Sequence, residues 1–156
     1  MDELRVPKRR IDAQLLLRGG GVRRVGVFIA EFASAHSGPE RLSDLLNQRD
    51  EFIPALDLDS DRMLFINREQ VAVAFLDLNE ERDTDSQHTI PLEHEVVVTL
   101  ADGQILEGLI GYVLPPERER LNDFLNDPAA FFRLIQTDRL GLINKRHVSQ
   151  IEVLRK

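Results

Sequence analysis

The 156-residue chain contains no cysteine, which excludes both a disulfide framework and a thiolate nucleophile. It also lacks any stretch near the roughly 18 apolar residues that a membrane-spanning helix requires. Its start, Met1-Asp2-Glu3-Leu4-Arg5-Val6-Pro7-Lys8, has no apolar core of the kind a secretion signal carries. A cytoplasmic protein is the expectation.

Chemistry-bearing constellations are missing too. The histidines His36, His88, His94 and His147 include no i, i+4 pair able to grip one metal from a helix. Asp57-Leu58-Asp59-Ser60-Asp61 begins like a calcium loop. Arg62 stands where the sharp turn needs glycine, however, and Arg68 where a bidentate glutamate should close the shell. Gly19-Gly20-Gly21 is not followed by the Lys-Ser/Thr pair that ends a phosphate loop. Ser43 and Ser149 lack a nucleophile-elbow sequence. The expectation is a protein that is not an enzyme and uses no cofactor and no metal.

What is present points to a folded chain. Hydrophobic residues make up 42% and charged residues 30%, outside the composition of disordered proteins. The net charge of −7 is uneven: residues 1–24 hold seven basic side chains against Asp2, Glu3 and Asp12, a local +4 that leaves −11 elsewhere. An anion would meet this end first, unless the arginines neutralise an acidic neighbour.

The chain repeats itself. Arg41-Leu42-Ser43-Asp44-Leu45-Leu46-Asn47 returns as Arg120-Leu121-Asn122-Asp123-Phe124-Leu125-Asn126, an offset of 79 (120 minus 41) that also places Phe52 on Phe131. Farther on, Ile66 matches Ile143 and Val71 matches Val148 at an offset of 77 (143 minus 66). In both motifs the apolar residues fall at i, i+3 and i+4, which predicts one short amphipathic helix per half. Ser37 and Glu40 have capping-box spacing before the first helix, and Pro115-Pro116 precedes the second. Asn47 and Asn126 are expected as left-handed C-caps.

Around the helices the pattern is β. Ile11 to Leu17 and Val25 to Phe32 flank the glycine cluster, and Val96 to Leu100 and Ile105 to Leu114 flank Asp102-Gly103; both read as hairpins. Phe52 to Leu58 and Phe131 to Ile135 are further strands, the first held to an edge by Pro54. Met63 to Ile66 with Val71 to Leu76, and Leu140 to Ile143 with Val148 to Leu154, give each half a closing strand pair. Residues 79–93, with Glu80, Glu81, Asp83 and Asp85, form an acidic linker between halves at 1–78 and 94–156.

The run Val98-Thr99-Leu100-Ala101-Asp102-Gly103-Gln104-Ile105-Leu106-Glu107-Gly108 resembles the first signature of Sm-like proteins. Ile143-Asn144-Lys145-Arg146-His147-Val148-Ser149-Gln150-Ile151 is similar to their second. That resemblance implies small bent β-barrels associating through strand edges. The Asp and Asn pair with which that family holds RNA has no counterpart at the matching turn. The repeated motif also resembles that of a bacterial domain family marked by Arg-Leu-Ser-Asp-x-Leu-Asn, for which no activity is implied. Arg5-Val6-Pro7-Lys8-Arg9-Arg10 has the Arg-x-x-x-Arg spacing that resembles the first motif of PilZ domains, which implies cyclic-dinucleotide binding. The Asp/Asn, Ser and Gly of their second motif are missing.

The expected fold is therefore α+β and β-rich: two tandem half-repeats of bent antiparallel sheet, Sm-like barrels each with one short helix, related by a pseudo-twofold axis. The expected role is a non-catalytic protein-interaction, regulatory or scaffold module working through a sheet edge or the groove between halves, with a protein partner or self-association. The alternative is an anion-binding module for RNA or a cyclic dinucleotide using the basic N-terminal segment. Candidate binding residues are Arg5, Arg9, Arg10, Arg41, Asp44, Arg120 and Asp123.

Overall fold

The computed structural model describes residues 8–30, 40–81, 92–112 and 120–155. The first half contains strands β1 (Lys8–Leu17) and β2 (Val22–Ala30), helix α1 (Leu42–Leu46), and strands β3 (Phe52–Asp57), β4 (Arg62–Asn67) and β5 (Val71–Asp77). The second half repeats the order with β6 (Leu92–Leu100), β7 (Ile105–Tyr112), α2 (Leu121–Leu125), β8 (Phe131–Ile135), β9 (Arg139–Asn144) and β10 (Val148–Arg155). The duplication read from the sequence is thus a duplication of structure, a β-rich α+β arrangement with one short helix in each half. Arg5, Ser37, Pro115-Pro116 and most of the expected linker lie outside the described residues.

All ten strands belong to one antiparallel sheet, in the order β10-β6-β7-β8-β9-β5-β1-β2-β3-β4. Each half therefore runs fifth, first, second, third, fourth strand, and the fourth strand of the second half abuts the fifth of the first. Three expectations are corrected by this order. Neither half closes into a barrel, because the sheet runs on from β9 into β5 and stays open at both ends. The halves are related by a half-turn combined with a step along the sheet rather than by a twofold that closes on itself: equivalent strands stand five places apart in an antiparallel order and so run in opposite directions, and β5 pairs β9 rather than its own counterpart β10. Finally, β4 and β5 do not pair with each other; β5 crosses back to β1.

Local sequence accounts for the elements. In β1, Ile11, Ala13 and Leu15 are buried and Asp12 and Gln14 are exposed, the period-2 pattern of a strand with one covered face. The hairpin turns take positive φ at Gly20 (96°) and Gly103 (93°), where a side chain would be strained. The β2–β3 ladder is limited to Val25–Asp57 and Gly26–Leu56, and β7–β8 to Leu109–Ile135. Beyond these points the neighbouring strands are not paired. Pro54 consequently sits in β3 inside the sheet, not at an edge as expected: it has no β2 residue opposite it to which an amide would donate. Gly108 marks the close approach in the second half, because a Cβ there would lie 2.6 Å from the Ile135 carbonyl oxygen.

The asparagines after the helices are not left-handed: Asn47 has φ −90° and Asn126 φ −101°. Asn47 instead points its Oδ1 at the second half, accepting from the Phe131 amide at 2.8 Å. Two apolar cores result. The first is built on α1, β1, β2, β3 and β5, and is completed by Phe131, Leu140 and Leu142 from the second half. The second is built on β6, β7, β8 and β10, with Ala72, Val73 and Leu16 reaching in from the first half. Sequence neighbours such as Leu142 and Ile143, or Val73 and Ala74, enter different cores because adjacent strand residues face opposite sides of the sheet.

Candidate functional site

The candidate arginines are mostly engaged within the chain. Arg9 Nη1 meets Glu80 Oε2 at 2.8 Å, Arg10 Nε meets Asp12 Oδ1 at 2.8 Å, and Arg23 and Arg24 lie 3.4 Å from Asp57 and Asp59. Four of the seven basic residues of this end, Arg9, Arg10, Arg23 and Arg24, thus each face a carboxylate. The repeated Arg and Asp pairs start the helices. Asp44 Oδ2 accepts from the Arg41 amide at 2.8 Å, satisfying a donor that the first turn leaves open, and Arg120 Nε donates to Asp123 Oδ2 at 3.2 Å. The two pairs are held in separate halves and do not converge on one site.

The turn after β3, which begins like a calcium loop, is closed on itself. Asp57 Oδ1 accepts from the Asp59 amide and its Oδ2 from the Ser60 hydroxyl, each at 3.0 Å. The amide hydrogen bond above all, then the hydroxyl and the Arg23 guanidinium, hold the Asp57 carboxyl below its ordinary value of 3.8. A depressed carboxyl contributes stability that is fully present above the unfolded value and is lost as pH falls through the folded one, so the window lies below about pH 4. Asp57→Asn is expected to lower the thermal midpoint at neutral pH. The gap from the unsubstituted chain should close as pH falls below about 4, read from melting curves of both proteins in an acid series.

Two open grooves occupy equivalent places. One of about 680 Å³ lies where β7 leaves β8 and is lined by Glu95, Glu107, Ile135, Asp138, Arg139 and Leu154. The other, about 380 Å³, lies where β2 leaves β3 and is lined by Asp12, Arg24, Leu58 and Phe75, among others. Arg139 caps Phe75, its guanidinium carbon 3.8 Å from the ring centroid. The larger groove is dominated by carboxylates, a lining unsuited to an anion. Among the described residues no cluster of three or more histidines and carboxylates is placed to hold a metal ion, and no helix is long and apolar enough to cross a membrane.

The seam between halves carries the densest polar arrangement. Glu81, whose side chain is fully buried, takes Arg133 Nε at 3.0 Å and the Ser43 amide at 3.1 Å. Arg133 also donates to the Ser43 hydroxyl at 3.3 Å. Asn144 Nδ2 donates to the Val71 carbonyl at 3.0 Å. Sequence reasoning placed Glu81 in an acidic linker; its position four residues beyond the end of the apolar strand β5 was the available signal.

The sheet's two ends are the remaining candidates. At one end β4 exposes Met63 (53%) and Phe65 (70%), with Phe52 beside them on β3 (54%). The cross-strand pairs Leu56–Met63 and Pro54–Phe65 place these side chains on one face, apolar and continuous. At the other end β10 exposes Val153 and Leu154. Edge strands in stable monomers are normally shortened, charged or covered. β10 carries Glu152 between Ile151 and Val153, whereas β4 has its one charge, Arg62, at its start and then reads Met63-Leu64-Phe65-Ile66, a continuous apolar run typical of strands covered on both faces. No protein-family model, curated protein or solved structure matches the chain.

Proposed function

We propose that the chain is a non-catalytic interaction and scaffold module that acts through the edges of its sheet. The observation that carries this is β4, an unpaired edge strand whose outward residues Met63 and Phe65 are large, apolar and exposed beside Phe52. An unpaired backbone supplies donors and acceptors for an added strand, and alternate side chains supply the apolar contact that selects it. Anion binding by Arg5, Arg9 and Arg10 is the weaker reading, because the guanidinium groups of Arg9 and Arg10 already hold carboxylates.

The test is affinity capture from the native cell with two baits, the unsubstituted chain and Met63→Lys/Phe65→Lys. A defined partner retained by the first and lost from the second is the expected result. A partner held equally by both baits would overturn the edge as the acting surface, as would substrate turnover abolished by a single substitution away from it.

A further inference from the structure

The seam inside the chain and the sheet's two open ends carry corresponding apolar residues. At that seam the β8–β9 hairpin of the second half covers α1 and β5 of the first, and the apolar residues of that contact have repeat counterparts at the open ends, whereas the Arg133–Glu81 ion pair is not repeated, Pro54 standing where Arg133 does. Phe131, Leu140 and Leu142 are 3%, 3% and 0% exposed; their counterparts Phe52, Met63 and Phe65 are 54%, 53% and 70% exposed. On the receiving side, Leu42, Leu46 and Leu76 are buried, whereas α2 has no buried residue and Val153, the counterpart of Leu76, is 42% exposed. Among the described residues the chain thus displays one exposed hairpin face and one half-exposed helix-and-strand face, which correspond to the two sides of a contact it already makes once internally.

A polar feature obeys the same rule. Asn144 Oδ1 accepts from the Arg146 amide at 3.0 Å, which orients its Nδ2 toward the Val71 carbonyl across the seam. Asn67 holds the same pose, its Oδ1 accepting from the Glu69 amide at 3.0 Å. Its Nδ2 has no partner among the described residues.

We infer that the occupant of these ends is a second copy of this chain, bound head to tail, with β4 of one copy paired to β10 of the next and the Phe52, Met63 and Phe65 face laid over α2. This rests on the edge-module reading and names its partner. The internal register, Ala74 opposite Leu142 and Leu76 opposite Leu140, transfers to Ile151 opposite Phe65 and Val153 opposite Met63. Asn67 Nδ2 then reaches the Val148 carbonyl of the next copy. Such a contact is heterologous, so it propagates until a ring closes or a filament grows.

The test uses the purified full-length chain in analytical ultracentrifugation across about 1 μM to about 1 mM, a span covering weak and strong self-association. Assemblies larger than a dimer are expected. Phe65→Lys and Val153→Lys, both at exposed positions and with melting curves as a folding control, should each weaken association at least tenfold. Mixed together they should form a one-to-one dimer, because the first retains an intact β10 end and the second an intact β4 end. A monomeric unsubstituted chain would overturn the inference while leaving the edge-module reading to its own capture experiment. A symmetric dimer, or variants that fail to complement when mixed, would overturn it as well.

Discussion

Leu142→Ala is expected to destabilise the folded chain by about 3 kcal/mol, within the range that loss of a fully buried leucine usually costs. Leu142 is 0% exposed and belongs by sequence to the second half, yet it packs in the first half's core with α1, β1 and β5. Removing three carbons there leaves a cavity walled by two interlocked halves that cannot collapse independently. Urea unfolding followed by circular dichroism should therefore show one transition moved to lower denaturant, with an unchanged slope. The decisive control is the repeat counterpart. Phe65→Ala removes a larger side chain from the same position of the fold, but one that is 70% exposed in the isolated chain. Its effect on monomer stability should fall within about 0.5 kcal/mol, as surface substitutions generally do. Two separate transitions, or equal costs at both positions, would mean that the seam does not unite the halves.

Much of the fold was legible because its signals are local. The β1–β2 and β6–β7 hairpins come from alternating apolar residues around Gly19-Gly20-Gly21 and Asp102-Gly103, and the helices from Leu42, Leu45 and Leu46 with Leu121, Phe124 and Leu125. The repeat offset then carried each assignment from one half to the other. The part that was not legible is non-local. Nothing around Val71 to Asp77 specifies that its partners are β1, more than fifty residues upstream, and β9, more than sixty downstream. A duplication alone is compatible with twofold or head-to-tail stacking, and only the edge pairing distinguishes them. The same holds for charge: Arg9 and Glu80 lie in segments read as a basic tail and an acidic linker, and they meet only because β5 returns to β1.

The edge surface did leave a trace in the sequence. Met63-Leu64-Phe65-Ile66 has the same continuous apolar character as Leu140-Gly141-Leu142-Ile143, the signature of a strand covered on both faces. β9 receives that cover from its own chain and β4 does not. A strand composed for burial but left at an end is a mismatch between local sequence and tertiary position, and such mismatches tend to fall where a protein acts.

Glu81→Ala should be the most damaging polar substitution, costing about 3 kcal/mol in the same unfolding assay, the lower end of the usual cost of removing one partner from a buried ion pair. The lower end applies because Arg133 is 35% exposed and recovers some hydration, while Glu81 is fully buried. The loss is not only of the pair. Glu81 also accepts the Ser43 amide at 3.1 Å, a donor in the first turn of α1 that the helix cannot satisfy itself. Glu81→Gln keeps an acceptor for that amide and gives up the charge, so it should cost less, about 1–2 kcal/mol. Arg133→Met should cost about as much as Glu81→Ala, since it strands the fully buried Glu81 carboxylate, which keeps the Ser43 amide as a donor. Combining it with Glu81→Gln should then recover stability relative to the sum of the single changes, because no unpaired buried charge is left. Strict additivity would show that the two side chains do not act as a pair, and that the halves are held at this point by apolar contact alone.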